Sequence, residues 1–421
     1  MLKPAGLAEK PEKGFMTINE EGVNCYTRLT PASELETRIA GLQKILASLD
    51  IGGALIVQKA DLFYYTGTTQ QGWLYVPVQG DVVFMVFKDL YRARAESGLK
   101  QILSLISPKK IPDTLKGLNL SLPDKLGLEL DVMPTNQYFM FSQIFSGSKI
   151  LDISTQIRLQ RAVKSEFEIN CVKKASVLAD QVAAKVPDFL RQGITEVEFA
   201  GLLEAHARKL GHQGLIRMRM WDNYLFYGHI MCGAGAAVPG AFASPTGGAG
   251  MNPNVGQGPS FAVMKPNEPI LVDYVFALDG YLSDHARIFS LGEIPLELQL
   301  AHEAMLEIQE TVKLKALPGT VTGEIYETMM TMANEKGYKD NFMGAADPKI
   351  RFTGHGLGIE LDEYPFIAKG QTLALSPGML IALEPKVVFP DKGVVGIENT
   401  FLVTKNGLES LTRYPDSITV L

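Results

Sequence analysis

Cysteine is scarce. The 421 residues hold only Cys25, Cys171 and Cys232, far apart and in no CxxC pair. This excludes a disulfide framework and a cysteine-based zinc knuckle, and the expected setting is a reducing cytoplasm. A basic surplus is also missing. Forty Lys and Arg against 46 Asp and Glu give a net charge of −6, so no nucleic-acid partner is expected. No run approaches the ~20 apolar residues of a membrane span. The opening MLKPAGLAEKPEKGF lacks the apolar core of a signal peptide. There is no fixed-period repeat and no GxSxG elbow. His302-Glu303-Ala304-Met305-Leu306 fails the HExxH pattern because Leu306 stands at the second histidine position. Gly233-Ala234-Gly235 begins like a dinucleotide fingerprint, but Val238 takes the third glycine's place.

What is present fits an ordinary globular chain, 46% apolar and 20% charged, of about two domains. Residues 1–24, with Pro4 and Pro11, read as an irregular arm. From 25 to 155 the pattern alternates between helix and strand. Leu35, Ile39, Leu42, Ile45 and Leu46 share a helical face, and GGALIV (52–57), DLFYYTG (61–67), WLYVPV (73–78), VVFMVF (82–87) and KLGLEL (125–130) read as strands. A second domain, 156–421, opens on a long helix whose Ser165 and Glu168 make a capping box. Thr195 and Glu198 repeat that pattern. His206 and His212 fall on or just after this second helix and read as surface residues. YLFYGHIMCG (224–233) reads as a strand, and the eight glycines in 233–258 mark a loop.

The chemistry concentrates in two hairpins. In LVDYVFALDGYLSDHARIF (271–289), Asp273 and Asp284 flank Asp279-Gly280. A turn on Leu278-Asp279 pairs the two aspartates directly, and a turn on Asp279-Gly280 makes them diagonal. Either register puts both on one face, with His285 on the other. MLIALEPKVVF (379–389) and GVVGIENTFLV (393–403) form the second hairpin, and its symmetric centre at Asp391 sets Glu384 opposite Glu398. Between the hairpins, His355 stands between Gly354 and Gly356. Four carboxylates and one imidazole suit a pair of divalent ions, with Mn, Fe, Co or Zn favoured over Mg or Ca.

These segments, with GHGLGIELDEYP, ALEP and GIENTFLVT, resemble the pita-bread metallopeptidase family of aminopeptidase P, prolidase, methionine aminopeptidase and creatinase. The resemblance implies a creatinase-like α/β first domain and a pita-bread α+β second domain with a curved antiparallel sheet. It implies Asp273, Asp284, His355, Glu384 and Glu398 as ligands of two metal ions, most simply Mn. Glu384 would act as general base on a bridging water. A homodimer is expected, and a small-molecule or short-peptide substrate of the Xaa-Pro type. The chain departs from the family at three positions. Gly240 and Asp362 stand where the peptidases carry histidines, and Gly396 where proline-specific members carry arginine. Loss of such donors can cost ~10²–10³ in rate each. Substitutes from this chain are Asp362 and His229 as catalytic groups, and Arg217, Arg219 and Tyr227 as substrate-binding groups. The alternatives are a lyase or creatinase-like amidinohydrolase on the same fold, or a metal-binding pseudoenzyme.

Overall fold

The computed structural model describes residues 28–421 apart from 242 and 346–348. The expected arm, residues 1–24, and Cys25 lie outside the described residues. The chain divides into two compact units at Ile153/Ser154.

The first unit is built on a six-stranded mixed sheet in the order β4-β3-β2-β1-β5-β6. Its strands are β1 (Gly53–Ile56), β2 (Gly72–Pro77), β3 (Val83–Val86), β4 (Ile102–Ser104), β5 (Lys125–Leu128) and β6 (Lys149–Asp152). β1, β2 and β3 pair antiparallel, while β4, β5 and β6 join in parallel. One expected strand is a helix instead. Residues Lys59–Thr66 coil because the Gln58 side chain accepts from the Asp61 amide at the start, and Gly67 ends the turn at φ 75°. A short apolar run cannot by itself distinguish a buried strand from a buried helix, and here the end groups decide.

The second unit is α+β. The helix Glu166–Ala183 starts with the expected capping box, Ser165 and Glu168 bonding reciprocally. Glu196–Lys209 follows, capped by Thr195. Both pack on β7 (Gly228–Cys232) and β8 (Ile270–Leu278) through Ala175, Val182, Phe199, Leu203, Ile230, Val272 and Tyr274. β9 (Tyr281–Ser290) lies beside β8, in the sheet order β17-β9-β8-β7, with β17 at Thr419–Val420. A five-stranded sheet, β11-β10-β12-β15-β16, comprises β10 (Phe352–Gly356), β11 (Glu363–Ala368), β12 (Leu380–Leu383), β15 (Asn399–Thr404) and β16 (Gly407–Ser410). β13 (Lys386–Phe389) and β14 (Gly393–Gly396) form a separate ribbon. Helices Leu296–Lys315 and Thr322–Glu335 bury Met305, Ile308, Val312, Ile325 and Met329 beneath these strands.

His212 is not a surface residue. It lies 4.5 Å from the Tyr227 ring and 5.1 Å from Phe276, and its Nε2–H donates to the Val275 carbonyl at 3.1 Å. The Gly214 amide donates to Nδ1 at 2.9 Å, so both ring nitrogens are satisfied in the neutral form. Burial pushes its pKa down to about 4. Among the described residues no helix is long and apolar enough to cross a membrane.

Candidate active site

The first hairpin takes the diagonal register. Leu278 faces Tyr281 across a turn at Asp279-Gly280, whose φ angles of 52° and 88° are those of the tight hairpin turn favoured between twisted strands. Asp273 therefore opposes Ala286, and Asp284 opposes Val275. Both aspartates stay on one face. His285 goes to the other, fully buried beside Arg287.

In the second hairpin, residue 391 is the centre of both ladders. β12 pairs β15 as Leu383–Asn399, and β13 pairs β14 as Lys386–Gly396. Glu384 and Glu398 occupy the facing positions in the gap between them. Pro385 has no amide to continue the ladder, and its carbonyl accepts from Ile397 at 3.1 Å. The break frees the two glutamates from the sheet. Buried side chains fix their backbones. Gln309 donates to the Leu383 carbonyl at 2.9 Å, and Arg287 donates to the Glu398 carbonyl at 2.9 Å. Ala286 and Glu398 exchange backbone hydrogen bonds, which joins the two hairpins edge to edge.

The four carboxylates and His355 therefore converge at one end of a cavity of about 490 Å³. His355 Nδ1–H donates to the Gly356 carbonyl at 3.2 Å, which leaves Nε2 to face the acids. Nε2 lies 3.8 Å from Asp284 Oδ2, 3.9 Å from Glu384 Oε1 and 3.9 Å from Glu398 Oε1. Asp284, His355 and Glu398 offer ligand atoms that all lie within 4.8 Å of one another. Two atoms of this group, Asp284 Oδ1 and Glu398 Oε1, are buried without a hydrogen-bond partner among the described residues. Burial pushes the Asp284 carboxyl up to about 7, with Asp273 and Glu384 adding to the rise. Burial and then Asp284 raise Glu398 well above the carboxylate range. Crowded, buried acids with unpartnered oxygens beside a free imidazole nitrogen fit a divalent cation, which would satisfy those oxygens and hold the acids ionised.

At the other end of the cluster stands a residue that the sequence reading passed over. Lys386 Nζ lies 2.8 Å from Asp273 Oδ2, 3.0 Å from Glu384 Oε2 and 2.6 Å from Glu398 Oε2. Burial alone lowers a lysine pKa, but Asp273, Glu384 and Glu398 outweigh it and hold the ammonium well above its ordinary value. One signal was available. Lys386 shares strand parity with Glu384, and a charged residue in the apolar run ALEPKVVF calls for a partner.

The other expected site residues scatter. His229 pairs with Asp273 across β7–β8 and lines the cavity, with Nδ1 3.1 Å from Thr246 Oγ1; burial lowers its pKa. Asp362 borders the cavity, but its two oxygens accept from the Arg219 and Met220 amides at 2.7 and 2.9 Å. The carboxylate expected to act as an acid or base thereby also ties the Arg219-Met220 backbone to its own segment. Arg217 and Arg219 do not line the cavity; Met218 and Met220, alternating with them, do. Arg219 lies 3.5 Å from Glu360, and Glu360 is also the charged neighbour of Arg217. Tyr227 does not line the cavity. It stacks on Tyr274 at 5.9 Å and 13°, in the core on the opposite face of the sheet from Asp273. Besides Lys386, the cations among the described residues that line the cavity are Arg158, Arg351 and Lys369. The Arg158 guanidinium lies 4.0 Å over the Tyr364 ring.

The comparisons with known proteins match this geometry. Residues 170–405 match the model of metallopeptidase family M24, and 38–163 match the creatinase/prolidase N-terminal domain. An uncharacterized peptidase of Bacillus subtilis, YqhT, is 25% identical over 91% of this chain and 100% of its own length. The Xaa-Pro dipeptidase of Pyrococcus furiosus is 26% identical over 90% of this chain and 98% of its own. Among solved structures, an Xaa-Pro dipeptidase from Bacillus anthracis superposes with a TM-score of 0.78 at 23% identity, covering 92% of this chain and 100% of that one. The first unit is thus the creatinase-like α/β domain and the second the pita-bread α+β domain, and the chain belongs to metallopeptidase family M24, a family of peptidase-type hydrolases.

Proposed function

We propose that this protein is a metal-dependent hydrolase that cleaves an amide bond in a short peptide carrying a free carboxylate, with Xaa-Pro dipeptides as the first substrates to try. The observation that carries the reading is the convergence of Asp284, His355, Glu384 and Glu398 at the end of a 490 Å³ cavity that Arg158, Arg351 and Lys369 also line. That volume suits a di- or tripeptide. The mixed oxygen and imidazole donors suit Mn, Fe, Co or Zn, and the resemblance implies two such ions. When bound, a divalent ion there supplies Lewis-acid polarisation of the scissile carbonyl and activation of water.

The chain's own residues do the rest. Glu384 takes the proton of the attacking water and returns it to the leaving nitrogen. Lys386 donates to Glu384 Oε2 and holds that carboxylate in place. Arg158, Arg351 and Lys369 bind the substrate carboxylate, in place of the arginine whose position is Gly396. Homodimerisation, implied by the resemblance, and a cytoplasmic location, expected from the scarce cysteines, belong to the same proposal, and sedimentation tests the first.

A second reading is supported by the state of two of the three departures. Gly240 packs against Gly247, and a Cβ there would lie 3.1 Å from the Gly247 Cα. The Asp362 oxygens are taken by backbone amides. Neither position supplies a histidine-like donor, which favours a non-peptide amide, an amidine or a lyase substrate over an ordinary peptide. A panel of Xaa-Pro dipeptides and non-peptide amides and amidines, offered to Mn-loaded protein, separates the readings. Turnover of the dipeptides supports the first. Turnover of the others alone replaces it with the second, and no turnover on either set contradicts both.

A further inference from the structure

The metal-dependent reading above is the starting point here. The five expected ligands do not form one uniform nest. Glu384 and Glu398 each divide their oxygens: Oε1 faces His355 Nε2 at 3.9 Å, and Oε2 accepts from Lys386. Asp273 turns Oδ2 to the same ammonium at 2.8 Å. Asp284 lies on the imidazole side. The cluster therefore has an imidazole end with unpartnered buried oxygens and an ammonium end whose oxygens are taken.

A divalent ion at the ammonium end needs those same oxygens at ~2.0–2.2 Å. It would have to occupy the volume that Nζ fills, with a side chain only 1% exposed and no solvent to retreat into. Charge points the same way. One ammonium and one divalent ion leave the four carboxylates with a single net negative charge, whereas a second ion would invert the sign of a buried site.

The backbone is shaped for the lysine. Gly396 lies directly opposite Lys386 in the β13–β14 ladder. Its φ is +148°, and a Cβ there would lie 2.4 Å from the Pro385 carbonyl, 2.7 Å from Lys386 Cα and 3.0 Å from Lys386 Cγ. A side chain at 396 would meet the backbone of Pro385 and Lys386 and the stem of the lysine, so the strand runs close beside Lys386 only with glycine there.

We propose that Lys386 is a built-in cation standing where the second metal ion of a dinuclear site would bind, so that this protein takes one divalent ion per chain, held by Asp284, His355, Glu384 and Glu398. Lys386 acts on the reaction as a positioning residue, through the oxygens of Glu384 and Glu398 that it holds.

The test is metal stoichiometry on the full-length protein, stripped with chelator and titrated with Mn²⁺. Elemental analysis after gel filtration is expected to find one Mn per chain at saturation. Electron paramagnetic resonance is expected to show an isolated Mn²⁺ spectrum with no exchange-coupled signal at excess metal. Lys386→Ala is expected to take a second equivalent and to develop the coupled signal. Lys386→Met, which keeps most of the stem and removes the charge, serves if the alanine variant does not fold. Two coupled ions in the wild-type protein overturn the inference and leave the metal-dependent reading standing. One ion in the wild type and still one in whichever variant folds overturns the role given to Lys386. No Mn bound by folded wild-type protein overturns both.

Discussion

The second unit buries two clusters of charge, and they behave oppositely. In one, Arg161 reaches Glu360 at 2.8 Å and Glu363 at 2.5 Å, Lys164 reaches Glu363 at 3.0 Å, and Arg219 lies 3.5 Å from Glu360. Burial would raise the Glu363 carboxyl, yet Arg161 and Lys164 hold it at about 2. In the other, Asp273, Glu384 and Glu398 share a single ammonium with Asp284 beside them, and burial pushes Asp284 up to about 7. Both clusters are out of solvent, so desolvation acts on both. The difference lies in the charge of the neighbours. A cluster with enough cations of its own ties segments together. A cluster short of positive charge, with unpartnered oxygens, has room for an ion.

The largest break in this contrast comes from His355→Ala, which removes the one imidazole that, among the described residues, stands with Asp284 and Glu398. Bound metal should be lost on gel filtration and hydrolysis should fall by ~10²–10⁴, while the urea midpoint of the chelated protein stays near wild type. A stability loss without loss of metal would put His355 in the wrong cluster. Arg161→Ala does the converse. Leaving Glu360 and Glu363 buried without their guanidinium should cost ~3–5 kcal/mol in urea unfolding, with Mn stoichiometry unchanged in the folded fraction.

Acid sharpens the same comparison. Glu363 has a folded pKa of about 2 against an ordinary value of 4.5. Between these values the unfolded chain binds the proton and the folded one does not, so stability falls as pH falls. The contribution is full above 4.5 and is lost as pH drops through about 2. Glu363→Gln should flatten that limb of the stability profile, and an unchanged slope in the variant would remove Glu363 as its source. The smallest effect is expected at the cavity lining. Arg158→Ala should raise KM for a dipeptide roughly tenfold, about 1.4 kcal/mol, with kcat little changed. A fall in kcat alone would place Arg158 with the reacting atoms rather than with substrate binding.

Much of this site was legible in the sequence because strands keep parity. Asp273 and Asp284 share a face in either register, and the symmetric centre at residue 391 put Glu384 opposite Glu398 without knowledge of the gap at Pro385. The failures have physical causes. Residue type points to Tyr227, Arg217 and Arg219, but the structure engages them in an aromatic stack and beside the Glu360 carboxylate, away from the cavity lining. Asp362 was read as a replacement for a histidine, yet two backbone amides of a distant segment bind it. Residues 61–67 went to helix through Gln58 and Gly67 at its ends. Lys386 and Gly396 both stand in the sequence, but that they face each other appears only with the β13–β14 register.

The contrast between the two ends of the carboxylate cluster is tested most directly by anomalous diffraction at the Mn edge from crystals soaked in excess Mn²⁺. One peak is predicted, bounded by Asp284, His355, Glu384 and Glu398, with the Lys386 ammonium still in contact with Asp273. A second peak between Asp273 and Glu398, with Lys386 displaced, would contradict the account.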